Sequence, residues 1–173
     1  MSEALQALYQ GDEETARELL GPDPELSVFE AAAFGRVERL GQILDEDQAQ
    51  ADTFSDDGFT ALHLAIFGGQ EASARLLLER GADPNVVSTS EIAKVPPLGT
   101  AAFVRSVALA SLLLDSGADP NGRGEGGFTA LHSAAQNEDE ELARLLLDQG
   151  SDPSLAADDG RRAADFGLRD LLS

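Results

Sequence analysis

Catalysis and metal binding near neutral pH draw mostly on histidine, cysteine and paired carboxylates. The 173-residue chain holds two histidines, His63 and His132, and no cysteine. A zinc site would need carboxylates alone or one lone histidine, and there is no thiolate nucleophile. No G-x-S-x-G, H-E-x-x-H or phosphate-loop pattern occurs. The stretch Gly122 to Gly127 is glycine-rich but lacks the lysine and the strand context of a phosphate cradle, so it reads as a flexible hairpin tip. Carboxylates are plentiful, but Asp45-Glu46-Asp47 and Asp56-Asp57-Gly58 do not keep EF-hand spacing. The others scatter through turns and polar helix faces. The expectation is a protein that is not an enzyme and needs no cofactor and no metal.

The charge balance narrows the partners. Asp and Glu number 32 against 12 Lys and Arg, a formal net charge of -20. Such a chain repels nucleic acid and anionic membrane and favours basic proteins. The acidity has three readings: steering of a basic partner, imitation of nucleic acid toward a basic protein, or a solubilising surface. Part of it has a local reason, since Glu138 to Glu141 place acid at a helix start. The opening MSEALQALYQGDEE has no basic run and no long apolar stretch, and no apolar run approaches bilayer length. No direct nucleic-acid contact, no membrane contact and a cytoplasmic location are expected.

The elements follow from an internal repeat. GFTALH occurs at Gly58 to His63 and again at Gly127 to His132. GADPN at Gly81 and at Gly117, and GSDPS at Gly150, lie 36 and 33 residues apart, each preceded by three leucines. The longer step contains three extra residues between Val86 and Val95. Thr60 and Thr129 follow a glycine turn and precede an apolar stretch, which predicts helix N-caps. In the first helix of the third unit Leu62, Ala65 and Ile66 share a face. The second helix is predicted from about Gln70 to Arg80, with Ala74, Leu77 and Leu78 inward. Gly81, Gly117 and Gly150 are placed to end second helices in the left-handed conformation. Weaker copies continue outward, for about six helix pairs with the last truncated. The approximate units are 1–24, 25–55, 56–91, 92–124, 125–157 and 158–173, in one domain.

The G-x-T-x-L-H-x-A start, the triple-leucine second helix and the G-A-D-x-N end resemble the ankyrin repeat, most strongly from Asp56 to Pro153. The resemblance implies an all-α solenoid of stacked antiparallel helix pairs with projecting hairpin loops. It also implies protein binding through the hairpin tips and the first-helix face, and no shared catalytic residues. His63 and His132 would bond the nearby turn backbone. Ala61 and Ala130 depart from the family in replacing proline. The fourth unit departs further, with Pro96-Pro97-Leu98-Gly99 placing proline at the threonine position and glycine at the histidine position. There Gly99 is expected to cost about 1 kcal/mol in a helix. The irregular segment from Val86 to Gly99 is either a binding feature or a plain loop insertion.

Equivalent positions suggest where a partner sits. The residue before the capping position is Phe59, Val95, then Phe128. The end of successive first helices carries Phe34, Phe67, Phe103, then Gln136. We expect Phe34, Phe59, Phe67, Phe103 and Phe128 to form an apolar stripe, with Val95 beside it. Asp56, Asp57 and Glu125 would rim the stripe, with Arg105 and Arg123 as local exceptions. The alternative is that these rings pack between neighbouring repeats as core. The functional expectation is a protein-binding regulator, inhibitor or adaptor with an unidentified, basic protein partner. The alternative is a self-associating or partner-stabilising protein, a homodimer formed through Leu168, Leu171 and Leu172 of the last repeat.

Overall fold

The computed structural model describes residues 2–20 and 25–172; the predicted boundary at residue 24 and the last residue lie outside them. The described residues form two compact units. Unit 1 is residues 1–83 with 88–91, and unit 2 is 84–87 with 92–173. Unit 1 holds three helix pairs: α1 (Glu3–Tyr9) with α2 (Glu13–Glu18), α3 (Val28–Ala33) with α4 (Val37–Glu46), and α5 (Ala61–Phe67) with α6 (Glu71–Glu79). Unit 2 holds α7 (Pro97–Phe103) with α8 (Val107–Asp115) and α9 (Ala130–Gln136) with α10 (Glu140–Asp148). It ends in a 3₁₀ turn at Ala163–Asp165 followed by α11 (Arg169–Leu172). The last predicted pair is therefore a 3₁₀ turn and a short helix. No strand occurs among the described residues, only isolated bridges such as Phe54 to Thr60.

Helices of this length do not persist alone, so each is held by its neighbours. Alanine makes that packing close: Ala7, Ala31, Ala65, Ala101 and Ala134 are all buried. Each accepts, at its carbonyl, the amide that opens the paired second helix: Asp12, Arg36, Gln70, Ser106 and Asp139 respectively. The whole of α5 from Ala61 to Ile66 is buried, rather than the single face predicted, because helices pack around it. In α6 the inward residues are Ser73, Ala74 and Leu77; Leu78 is only half-buried.

Thr60 and Thr129 cap their helices through the histidines. His132 Nδ1 lies 2.9 Å from Thr129 Oγ1 and 3.2 Å from the Thr129 nitrogen. His63 Nδ1 stands to Thr60 in the same way, at 2.8 and 3.4 Å. In α7 the arrangement is replaced. Pro96 takes the cap position and Pro97 the first turn, where its missing N–H costs nothing. A Cβ at position 99 would meet Val95 Cγ2 at 2.5 Å. The Val95 side chain lies where a histidine would emerge, so Gly99 is a packing requirement rather than a local defect.

Successive second-helix ends are tied by side-chain amides. Asn85 donates to Gly117 O (3.0 Å) and accepts from the Asp119 amide (2.7 Å). Asn121 does the same with Gly150 O (3.1 Å) and the Asp152 amide (2.8 Å). In unit 1 the two roles are divided: Gln48 Nε2 donates to Arg80 O (2.7 Å) and Asp52 Oδ1 accepts from the Asp83 amide (2.9 Å). The asparagine of GADPN is thus an inter-repeat clamp. Gly81, Gly117 and Gly150 stand at φ 90, 90 and 95°, the left-handed turn that brings the chain into it.

Two substitutions test this packing in opposite directions. Gly68 has an ordinary φ of -76°, but a methyl there would overlap the Ala33 carbonyl oxygen. Gly68→Ala is expected to destabilise the protein by about 2 kcal/mol in urea unfolding, from overpacking alone. Glu138 sits at φ 52°, where the repeats of unit 1 have glycine (Gly11, Gly35 and Gly69). Glu138→Gly is expected to stabilise by about 0.5 to 1 kcal/mol in the same assay, because a Cβ is unfavourable in that conformation.

Candidate protein-binding site

The backbone bonds that open each second helix define the register of the first helices. Two residues beyond the shared alanine come Tyr9, Ala33, Phe67, Phe103 and Gln136. Phe34 is one residue further on, the C-cap of α3, because that helix begins one residue late at Ser27. It therefore does not continue the line of Phe67 and Phe103. Its ring packs against the core of unit 1 and lines a cleft with Leu8, Ala33 and the exposed Glu13–Arg17 ion pair.

The remaining predicted residues fall into two groups that belong to separate units. In unit 1, Phe59 and Phe67 are half-buried in a cluster with Leu5, Leu8, Ala33 and Leu64. Tyr9 joins them, with its ring centroid 5.2 Å from Phe67 and 6.2 Å from Phe59. Its hydroxyl donates to Asp57 Oδ2 at 2.7 Å. Asp57 therefore holds Tyr9 and takes a bond from Ser55 Oγ, so it is committed within the unit and does not stand free as rim. Tyr9 was missed in the sequence because it lies in the most divergent repeat. Counting back four residues from the buried Ala16 of α2, and then three more, would have placed it in line with Phe67.

In unit 2, Phe128 packs on Phe166 at 5.1 Å and on His132 at 5.3 Å, and the Arg161 guanidinium covers Phe166 at 4.3 Å. Phe128 is thus part of a small aromatic core. Val95 is half-buried over Gly99. Arg123 donates to Ala156 O at 2.9 Å and lies 3.4 Å from Asp158, and Arg105 lies 3.8 Å from Asp139. Both arginines are spoken for by loop and helix-end acceptors. Phe103 differs from the other rings, for it is 69% exposed at the end of α7. Ile92 in the preceding irregular segment is also open, at 74%. Of the five rings expected in the stripe, Phe34, Phe59, Phe67 and Phe128 are half-buried and Phe103 is open.

Both histidines are buried and serve their helix caps. His132 is 1% exposed, and its Nε2 faces the Arg161 carbonyl at 3.3 Å. A carbonyl only accepts, so Nε2 carries the proton and Nδ1 accepts from Thr129. Among the described residues no group of three or more His, Asp or Glu side chains is placed to hold a metal ion. Among the described residues no helix is long and apolar enough to cross a membrane. Of the last-repeat leucines, Leu172 is 7% exposed, and Leu168 and Leu171 are half-buried.

Burial, the largest cause, holds the His132 imidazole below its ordinary value, and the nearby Arg123 charge adds to this; the Arg161 carbonyl opposes it. The unfolded chain takes up this proton near pH 6.5, the folded chain only at lower pH. The unfolded state binds more protons in that window. Stability from His132 is therefore complete above about pH 6.5 and is lost as pH falls toward the lower folded value. The advantage of the wild type over His132→Gln in urea unfolding is expected to shrink between pH 7 and 5. An advantage that grew on acidification would contradict the neutral ring. Asp12, Asp152 and Asp159, held down by local hydrogen bonds, act only in the more acid range.

No curated protein matches the chain. The family model for ankyrin repeats in three copies matches residues 4–88 and 90–157. That family is known for protein–protein interaction and is not catalytic. Its match covers most of the chain, including both histidine-capped helices and the asparagine clamps. This protein belongs to the ankyrin-repeat family.

Proposed function

We propose that the protein acts as a regulator, inhibitor or adaptor that binds a basic protein, with Phe103 as the anchor on the first-helix side of unit 2. The observation that carries this is the 69% exposure of the ring, while the other predicted aromatic residues are half-buried or tied into clusters. A large ring left in water gains most by entering a partner's pocket. Polar side chains lie near it in sequence and register: Arg105 and Ser106 come two and three residues after it, and the exposed Gln136 occupies the same position on α9. An apolar centre with a polar rim is the common anatomy of protein interfaces. A net charge of -20 supports a partner of opposite sign, with charge acting on encounter rate more than on final affinity.

The test is affinity capture on immobilised wild-type chain and on Phe103→Ser, with bound proteins eluted by a salt gradient. Substitution at so exposed a site is expected to change folding stability by no more than about 0.5 kcal/mol. Binding should weaken tenfold or more, the loss of a hot-spot ring. The captured proteins should be basic and should elute as salt rises. Equal capture by both chains would reject Phe103 as the anchor, and acidic partners insensitive to salt would reject the electrostatic half.

A further inference from the structure

The half-burial of Phe67 has a specific cause. In unit 1 the shared register position carries Tyr9 on α1, Ala33 on α3 and Phe67 on α5. The methyl of Ala33 leaves a gap one helix wide, and Tyr9 spans it. Its ring meets Phe67 edge-on and also touches Phe59, and its hydroxyl reaches Asp57 in the hairpin before α5. A carboxylate only accepts, so the phenol is the donor. Burial, then the Asp57 bond and its charge, push the phenol well above its usual range. The phenol therefore keeps its proton throughout the neutral range. Phe103 occupies the same position on α7 and is largely open.

We infer that the first helix pair is a built-in cover, clasped by the Tyr9–Asp57 hydrogen bond, whose release uncovers Phe59 and Phe67 as a second aromatic surface. The pair is made to move as one piece. Helices α1 and α2 have seven and six residues, and α2 buries only Ala16. They pack chiefly on each other, and α1 makes the larger part of their contact with the rest of unit 1, joined by the buried Ala16 of α2. Helices so short have no stability of their own, so their docking rests on a small apolar contact, the Ser2–Glu30 side-chain bond and the clasp. The occupant of the aromatic groove is thus a segment of this chain. The inference does not depend on what binds Phe103.

Native-state hydrogen exchange on the full wild-type chain tests it. Amides of α1 and α2 are expected to exchange through an opening at least ten times more frequent than that of α5 and α6. Tyr9→Phe, which keeps the ring and removes the clasp, should speed exchange in α1 and α2 about tenfold. It should leave α5 and α6 within twofold. Tyr9 is the single tyrosine and there is no tryptophan, so its fluorescence reports the same opening directly. Binding of the neutral dye Nile red should rise in Tyr9→Ala, and adding Phe67→Ser should remove the rise. Wild-type α1 and α2 amides that exchange only together with α5 and α6 would overturn the inference. So would a Tyr9→Phe effect spread evenly over unit 1, or dye binding unchanged by Tyr9→Ala.

Discussion

Among the described residues no helix is long enough to hold itself together, so each depends on close approach to the next. The longest, α4, has ten residues. Nucleating so few turns is unfavourable in water, and burial against neighbours must offset it. Small side chains make the approach close enough to do so. The shared alanine of each first helix is buried, and at Gly68 there is no room even for a methyl beside the Ala33 carbonyl. The leucines of the second helices then fill the space between layers; Leu77, Leu113 and Leu146 are fully buried, each contributing about 1.5 to 3 kcal/mol.

Polar groups fix the register that the apolar groups leave loose. Burial has no direction, but a carbonyl bonded to an asparagine amide does. Asn85 and Asn121 each take both polar partners of the following turn, and Gln48 and Asp52 divide the task in unit 1. The buried imidazoles act likewise within a repeat, joining a helix start to the turn before it. The buried histidines add no formal charge, and the net charge of -20 bears on encounters with other molecules and on solubility.

The same register gives each first helix one equivalent position, two residues beyond the shared alanine. The side chain at this position differs from repeat to repeat. In unit 1 tyrosine, alanine and phenylalanine close on one another; in unit 2 a phenylalanine stands open beside a glutamine that offers it no ring to pack on. The family is known for protein–protein interaction and not for catalysis.

The period of the repeat, the helix order, the capping threonines and histidines and the glycine stops were legible in the amino-acid sequence, because each is set by contacts within a few residues. The exclusion of familiar catalytic motifs was legible too. Burial of the phenylalanines was not, because it depends on side chains from other repeats: Tyr9 covers Phe67 from 58 positions away, and Phe166 covers Phe128. The one-residue slip of Phe34 also needed three dimensions, since counting from the helix start hides a helix that begins late. Gly99 likewise looked like a weakness until Val95 was seen lying over it. Local chemistry thus determined the frame, while packing across repeats decided which rings remain in water.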